Sequence, residues 1–140
     1  MTLKTTIEKL RDIALKTHNV RSVIINDIYR ENAFASIDYG VVAIIQNEHV
    51  VGDNIVTYNL TLVYVDRLAK DGSNELDIQS DGMLTLTNII NAFVGEVDDA
   101  SIEGDVTFTA YNQRFVDDCA GVYADVAISV TSNMGICYDI

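Results

Sequence analysis

The side chains best suited to chemistry are few and far apart in this sequence. There are two histidines, His18 and His49. Neither belongs to an HExxH or another spaced metal-binding set. His18 stands where a helix is expected to end, and a protonated ring there would suit the negative end of the helix dipole. His49 lies in the polar stretch Gln46-Asn47-Glu48-His49. Both are expected as surface or hydrogen-bonded histidines, not as ligands or bases. Cys119 and Cys137 show no CxxC spacing and no nearby histidine pair, so they carry no zinc or redox signature. A disulfide between them is one alternative; reduced, buried thiols are the preferred one.

The run Asp71-Gly72-Ser73-Asn74-Glu75-Leu76-Asp77 has the look of a calcium loop but fails on detail. The sixth position of such a loop should be glycine and is Leu76; the twelfth should be glutamate and is Gly82. Helix capping accounts for the same residues without a metal. Asp98-Asp99 and Asp117-Asp118 are adjacent acids. Acid–base or two-metal chemistry needs carboxylates that converge on one site, whereas neighbours in a loop repel and stay solvated. No GxSxG elbow supports a serine nucleophile. Gly95, Gly104 and Gly121 form no phosphate loop. The four Phe and seven Tyr lack the interleaved Arg and Lys of a base-stacking surface, and core or interface packing is the expected use. The sequence therefore predicts no catalytic residue, no cofactor and no metal.

Composition frames that expectation. The 140 residues fit one domain, 1–140, and 49% of them are hydrophobic, enough for a real core. No apolar run approaches the roughly 20 residues of a membrane span. The mixed charges of residues 1–10 predict no secretory signal. The net charge of −12 argues against a protein that grips phosphates. It suits either plain solubility or a wall past which DNA slides.

The elements follow from periodicity. Leu3, Ile7, Leu10, Ile13 and Ala14 predict a first helix, stopped near His18-Asn19. Val20 to Ile25 is β-prone, and residues 26–38 read as a structured loop or short strand. Val41 to Ile45 begins a hairpin that turns at Gly52-Asp53-Asn54. On its return strand Val56, Tyr58, Leu60, Leu62 and Tyr64 alternate with Thr57, Asn59, Thr61 and Val63. The first set should meet the core, the second solvent or a neighbour. A second helix is expected over about 75–94, with Met83, Leu86, Ile89, Ile90 and Phe93 as its apolar stripe and Gly95 as its stop. Strands around 106–111 and 122–130 follow, then a tail from Ser132 to Ile140. The predicted class is α+β, a mostly antiparallel sheet with two helices on one face.

Three stretches together carry a resemblance. They are Tyr58-Asn59-Leu60-Thr61-Leu62-Val63-Tyr64-Val65-Asp66-Arg67-Leu68 with the following Asp71-Gly72-Ser73-Asn74-Glu75, then residues 107–122, then Asn133-Met134-Gly135-Ile136-Cys137-Tyr138-Asp139. In element order over residues 3–139 the chain resembles the tail-terminator-like and neck-connector proteins of tailed bacteriophages, especially crAss-like phages of Bacteroidetes. The resemblance implies a non-enzymatic virion protein, made in the bacterial cytoplasm. It implies a homo-oligomeric ring of six or twelve copies, stacked with portal, neck or tail rings around a DNA channel, without specific DNA binding or a membrane. It would place ring contacts on the strand face of Thr57, Asn59 and Thr61, on the 26–38 loop with Tyr29 and Phe34, and around Phe115, Asp117 and Asp118. The alternative expectation is a small acidic binding or inhibitor protein that mimics DNA.

Overall fold

Thr2 opens the first helix. In the computed structural model, which describes residues 1–26, 40–114 and 118–131 (the side chains of Gln113, Arg114 and Asp118 excepted), helix α1 spans Leu3–Lys16. The Thr2 hydroxyl accepts from the Thr5 N–H at 3.1 Å, and the Thr5 hydroxyl accepts from the Thr2 N–H at 2.9 Å. That reciprocal pair satisfies two donors the helix start would otherwise orphan. Ile7, Leu10, Ile13 and Ala14 form the buried face. The helix ends earlier than its histidine suggests: Thr17 is the C-cap, and its hydroxyl donates to the Ile13 carbonyl at 2.7 Å. Asn19 then takes a left-handed φ of 74°.

Six strands make one sheet. Strand β1 (Ser22–Ile25) lies parallel to β2 (Val41–Val51). The hairpin partner β3 (Ile55–Arg67) is antiparallel to β2. Its turn rests on Asn54, with φ at 61°, and on the Gly52 N–H donating to the Ile55 carbonyl at 2.8 Å. Helix α2 (Glu75–Glu96) follows, then β4 (Ala100–Ile102), β5 (Phe108–Arg114) and β6 (Asp118–Thr131). The order across the sheet is β1-β2-β3-β6, with β4 and β5 sharing the far edge of β6. Ile102 faces Ile128 and Phe108 faces Ala124, so β4 and β5 are one edge line broken by residues 103–107, where Gly104 has a φ of 71°.

Both helices pack on one face of this sheet. Their apolar residues join Val42, Ile44, Tyr58, Leu60, Leu62, Tyr64, Val122, Val126, Ile128 and Val130 in a single core. Burial of Leu60, Leu62, Leu86 and Phe93, none more than 1% exposed, contributes about 1.5–3 kcal/mol each. The α+β class and the one-sided helix layer are as the periodicity predicts.

Two glycines permit close approach, one between helix and sheet and one between neighbouring strands. A Cβ on Gly82 would stand 2.8 Å from the Tyr64 ring and 2.9 Å from Val122, so α2 touches the sheet there because it lacks a side chain. A Cβ on Gly121 would meet the Tyr64 carbonyl oxygen at 1.7 Å.

Several expectations need correcting. Met83 does not belong to the buried stripe of α2: it is 47% exposed, and Ile78, Gly82 and Thr85 are buried in the turns before Leu86. Gly95 does not stop the helix, which runs to Glu96 and is capped by the Val97 N–H on the Phe93 carbonyl. Val106 and Thr107 precede β5 and are not part of it. The three-residue strand β4 was not predicted. The 26–38 loop and the tail lie outside the described residues, apart from Asn26.

Candidate functional site

The helix-free face of the sheet is where the candidate contact residues Thr57, Asn59 and Thr61 fall. Register places them beside Ser129, Ala127 and Asp125 of β6. Their side chains bond one another across strands. Thr57 Oγ1 and Ser129 Oγ are 3.0 Å apart. The Thr61 hydroxyl donates to Asp125 Oδ1 at 2.5 Å and accepts from Asn47 Nδ2 at 2.8 Å, linking β2, β3 and β6. Asn59 Nδ2 donates to the Glu48 carbonyl at 2.8 Å. That last bond sits at a bulge, where the β2–β3 register shifts between Gln46 and His49.

The same face changes character towards the other end of β3. Val41, Ala43, Val63, Val65 and Cys119 are buried there as a second apolar cluster, with Ile24, Ile45 and Tyr111 against it. Tyr111 and Tyr123 meet at a ring-centroid distance of 6.1 Å. Val63 is thus not a solvent-facing partner of the threonines: it is 5% exposed. A strict alternation read from the sequence misses this, because Val65 and Cys119 extend the apolar set beyond the stretch that alternates.

Beyond the polar rungs lies the tip of the β2–β3 hairpin, where β6 still pairs with β3. Val50, Val51 and Ile55 are 57%, 58% and 50% exposed at its end. Val50 pairs with Thr57 and Val51 with Val56, so the exposed apolar groups occupy both faces of the tip.

The chemistry-bearing residues do not converge. His49 is on the helix side, edge-on to Tyr58 with ring centroids 5.5 Å apart. Its Nε2 is 3.1 Å from Gln46 Oε1, and among the described residues its buried Nδ1 has no hydrogen-bond partner. His18 is exposed, as are Asp98 and Asp99 in the turn before β4. In the 71–77 run the Asp71 carboxylate accepts from the Ser73 N–H at 3.0 Å, which holds its pKa below the usual carboxylate value. Asn74 stands at the N-cap of α2 without capping it. Its Oδ1 accepts from the Ala69 N–H at 2.7 Å and its Nδ2 donates to the Arg67 carbonyl, tying the end of β3 to the helix start. Among the described residues no group of three or more His, Cys, Asp or Glu is placed to hold a metal ion.

Among the described residues Tyr64 is the group whose pKa is moved furthest. Burial, then the nearby Asp66 and Asp81, push its hydroxyl up to about 12. It lies in the core beneath Gly82, where a neutral phenol packs and bonds towards Asp66.

Of the other predicted contact residues, Tyr29, Phe34, Phe115 and Asp117 lie outside the described residues, and only the backbone of Asp118 is described, at the start of β6. Cys137 also lies outside them, and with it the disulfide alternative. The hairpin tip, Val50, Val51 and Ile55, is the part of the surface that sequence reasoning missed. Its signal was available: three β-branched residues flank a Gly-Asp-Asn turn. No protein-family model matches the chain, and no curated protein matches it. Among the described residues no helix is long and apolar enough to cross a membrane.

Proposed function

We propose that this chain is a structural subunit of a virion ring in the neck or tail of a tailed bacteriophage. In this reading the ring joins portal to tail around the channel through which DNA passes, and the chain carries out no catalysis. The observation that carries it is the tip of the β2–β3 hairpin, which exposes Val50, Val51 and Ile55 on both faces of the sheet. An isolated subunit gains nothing from apolar groups exposed on both faces of the hairpin tip, whereas a subunit that packs this corner of the sheet against neighbours buries them. Burying what remains exposed of the three, about half of each, would contribute roughly 0.8–1.5 kcal/mol each. The adjoining polar rungs support the same reading. Because Thr57, Asn59 and Thr61 already bond within the sheet, a partner that covers them has fewer donors left to satisfy. Heterologous contacts of this kind close into rings when the rotation between copies allows it. The excess of acid, −12 overall, would keep a lumen from sticking to DNA.

Light scattering on the pure chain, alone and mixed with a portal or tail-tube protein, tests the proposal. A discrete assembly of six or twelve copies is expected in at least one of the two samples. A monomer in both would overturn it.

A specific feature favours the second reading, a DNA-mimicking inhibitor. Residues 71–105 hold nine acids and no Lys or Arg. That reading predicts tight binding to a DNA-binding enzyme by the monomer, with the affinity falling as salt rises.

A further inference from the structure

The two helices differ in charge. Five of the nine Lys and Arg lie in residues 1–21, against two acids there, whereas residues 71–105 hold nine acids and no Lys or Arg. Helix α1 carries Lys4, Lys9, Arg11 and Lys16; α2 carries Glu75, Asp77, Asp81 and Glu96. Within the subunit the helices meet at Lys9 and Glu96, 3.8 Å apart.

Each helix also leaves apolar groups in water. On α2 Leu76, Met83 and Leu84 are exposed, Leu76 by 76%. Met83 and Leu84 follow Leu76 by seven and eight residues, which puts all three on one side of the helix, and Asp77 shares that side seven residues before Leu84. On α1 Leu15 is half exposed, and Arg11 stands one turn before it on the same side. Arg11 is 3.5 Å from Asp12, but both side chains are exposed. Such a pair contributes little and exchanges readily for another.

The fold sets these two surfaces where successive copies can bring them together. Helix α1 lies over β1 and β2, and α2 over β3, β6 and the β4–β5 edge, so the helices belong to opposite ends of the sheet. The end of α1 and the middle of α2 also stand near one height along the strands. The Asn19 carbonyl, two residues past the cap of α1, lies against Gly40, while Gly82 lies against Tyr64, whose partner is Val42. Rotation of copies about an axis along the strands therefore brings the α1 of one to the α2 of the next, without the rise that would turn a ring into a helix. Opposite charges favour that pairing. Two α2 surfaces meeting each other would set acid against acid.

We infer that the exposed side of α1 in one copy, with Arg11 and Leu15, packs on the exposed side of α2 in the next, with Asp77, Met83 and Leu84. The inference rests on the ring reading above. It adds to the hairpin tip a head-to-tail contact that continues the row of helices from copy to copy.

The test uses the full chain. Leu15→Cys and Leu84→Cys are made separately in a Cys137→Ser chain, which otherwise keeps only the buried Cys119. The two proteins are mixed, assembled and treated with a short bis-maleimide. Denaturing gels should show linked pairs in the mixture and none above the Cys137→Ser background in either protein alone. Separately, Arg11→Glu and Asp77→Lys should each lower the assembled fraction by about tenfold or more, and their combination in one chain should restore it. Urea unfolding checks that every variant folds. Linkage in either cysteine protein alone would overturn the inference in favour of like helices meeting. Rings with no link in the mixture, or with charge reversals that show no effect or no mutual rescue, would overturn it and leave the ring reading standing. A monomer under every condition, with portal and tail-tube protein present, would overturn both.

Discussion

The helix-free face of the sheet is built differently at its two ends. Around Val63 and Val65 it is closed, with Val41, Ala43 and Cys119 buried beside them. Around Thr57, Asn59 and Thr61 it is polar, internally hydrogen-bonded, and continued by a hairpin with apolar groups in water. The same strand, β3, runs through both. At the closed end side chains serve the stability of one subunit. At the open end they satisfy each other and leave a surface that a second protein can cover. The difference separates residues whose loss should unfold the chain from residues whose loss should disturb its association.

That separation can be tested by size of effect. The largest loss is expected on the helix side, where Leu62 is 1% exposed. Leu62→Ala should cost about 2–5 kcal/mol by urea unfolding, from lost transfer energy and the cavity left behind. Alkaline pH should come next. Tyr64 titrates at about 12 in the fold against 10.0 as its ordinary value. Its contribution is fully present below pH 10 and is lost as pH rises from 10 towards 12, because the unfolded chain gives up that proton first. The loss amounts to about 2–3 kcal/mol, and Tyr64→Phe should flatten that part of the stability–pH curve. Val63→Ala, at the closed end, should cost about 1–2 kcal/mol and leave assembly size unchanged once the protein is folded. Thr61→Val should be the mildest, within about 1 kcal/mol, since Asn47 and Asp125 are exposed and water replaces the lost bonds. If Thr61→Val unfolds the chain, or Val63→Ala changes assembly size while leaving stability intact, the distinction between the two ends fails.

Much of this arrangement was legible in the sequence, for physical reasons. Strict alternation from Val56 to Tyr64 specified a strand and its core face, because burial on one side demands period two. The three- and four-residue spacing in α1 did the same for a helix. The errors arose where contact is made without an apolar side chain. At Gly82 a Cβ would crowd Tyr64 and Val122, and a glycine carries no hydrophobic signal, so periodicity draws the stripe through Met83 instead. Gly95 was taken as a helix stop, yet it is exposed and the helix continues because Val97 is buried one turn beyond Phe93. Strand β4 escaped because Ala100-Ser101-Ile102 is too short to show a period, and its pairing with Ser129 and Val130 comes from a distant strand. Of the candidate site, the polar rungs were readable as the non-core half of β3. The hairpin tip shows in the sequence only as β-branched residues beside a turn, because the exposure of Val50 and Val51 depends on how far β2 outruns β1.

The claim on which the account turns is that the exposed hairpin tip is made for a neighbour of the same kind. Electron microscopy of the pure chain, alone and with a portal or tail-tube protein, examines it directly. The account predicts closed rings with a central hole and six- or twelve-fold symmetry, lost in a Val50→Asp, Val51→Asp double variant that still folds. Particles no larger than one subunit in both samples, or rings unaffected by the double variant, would contradict it.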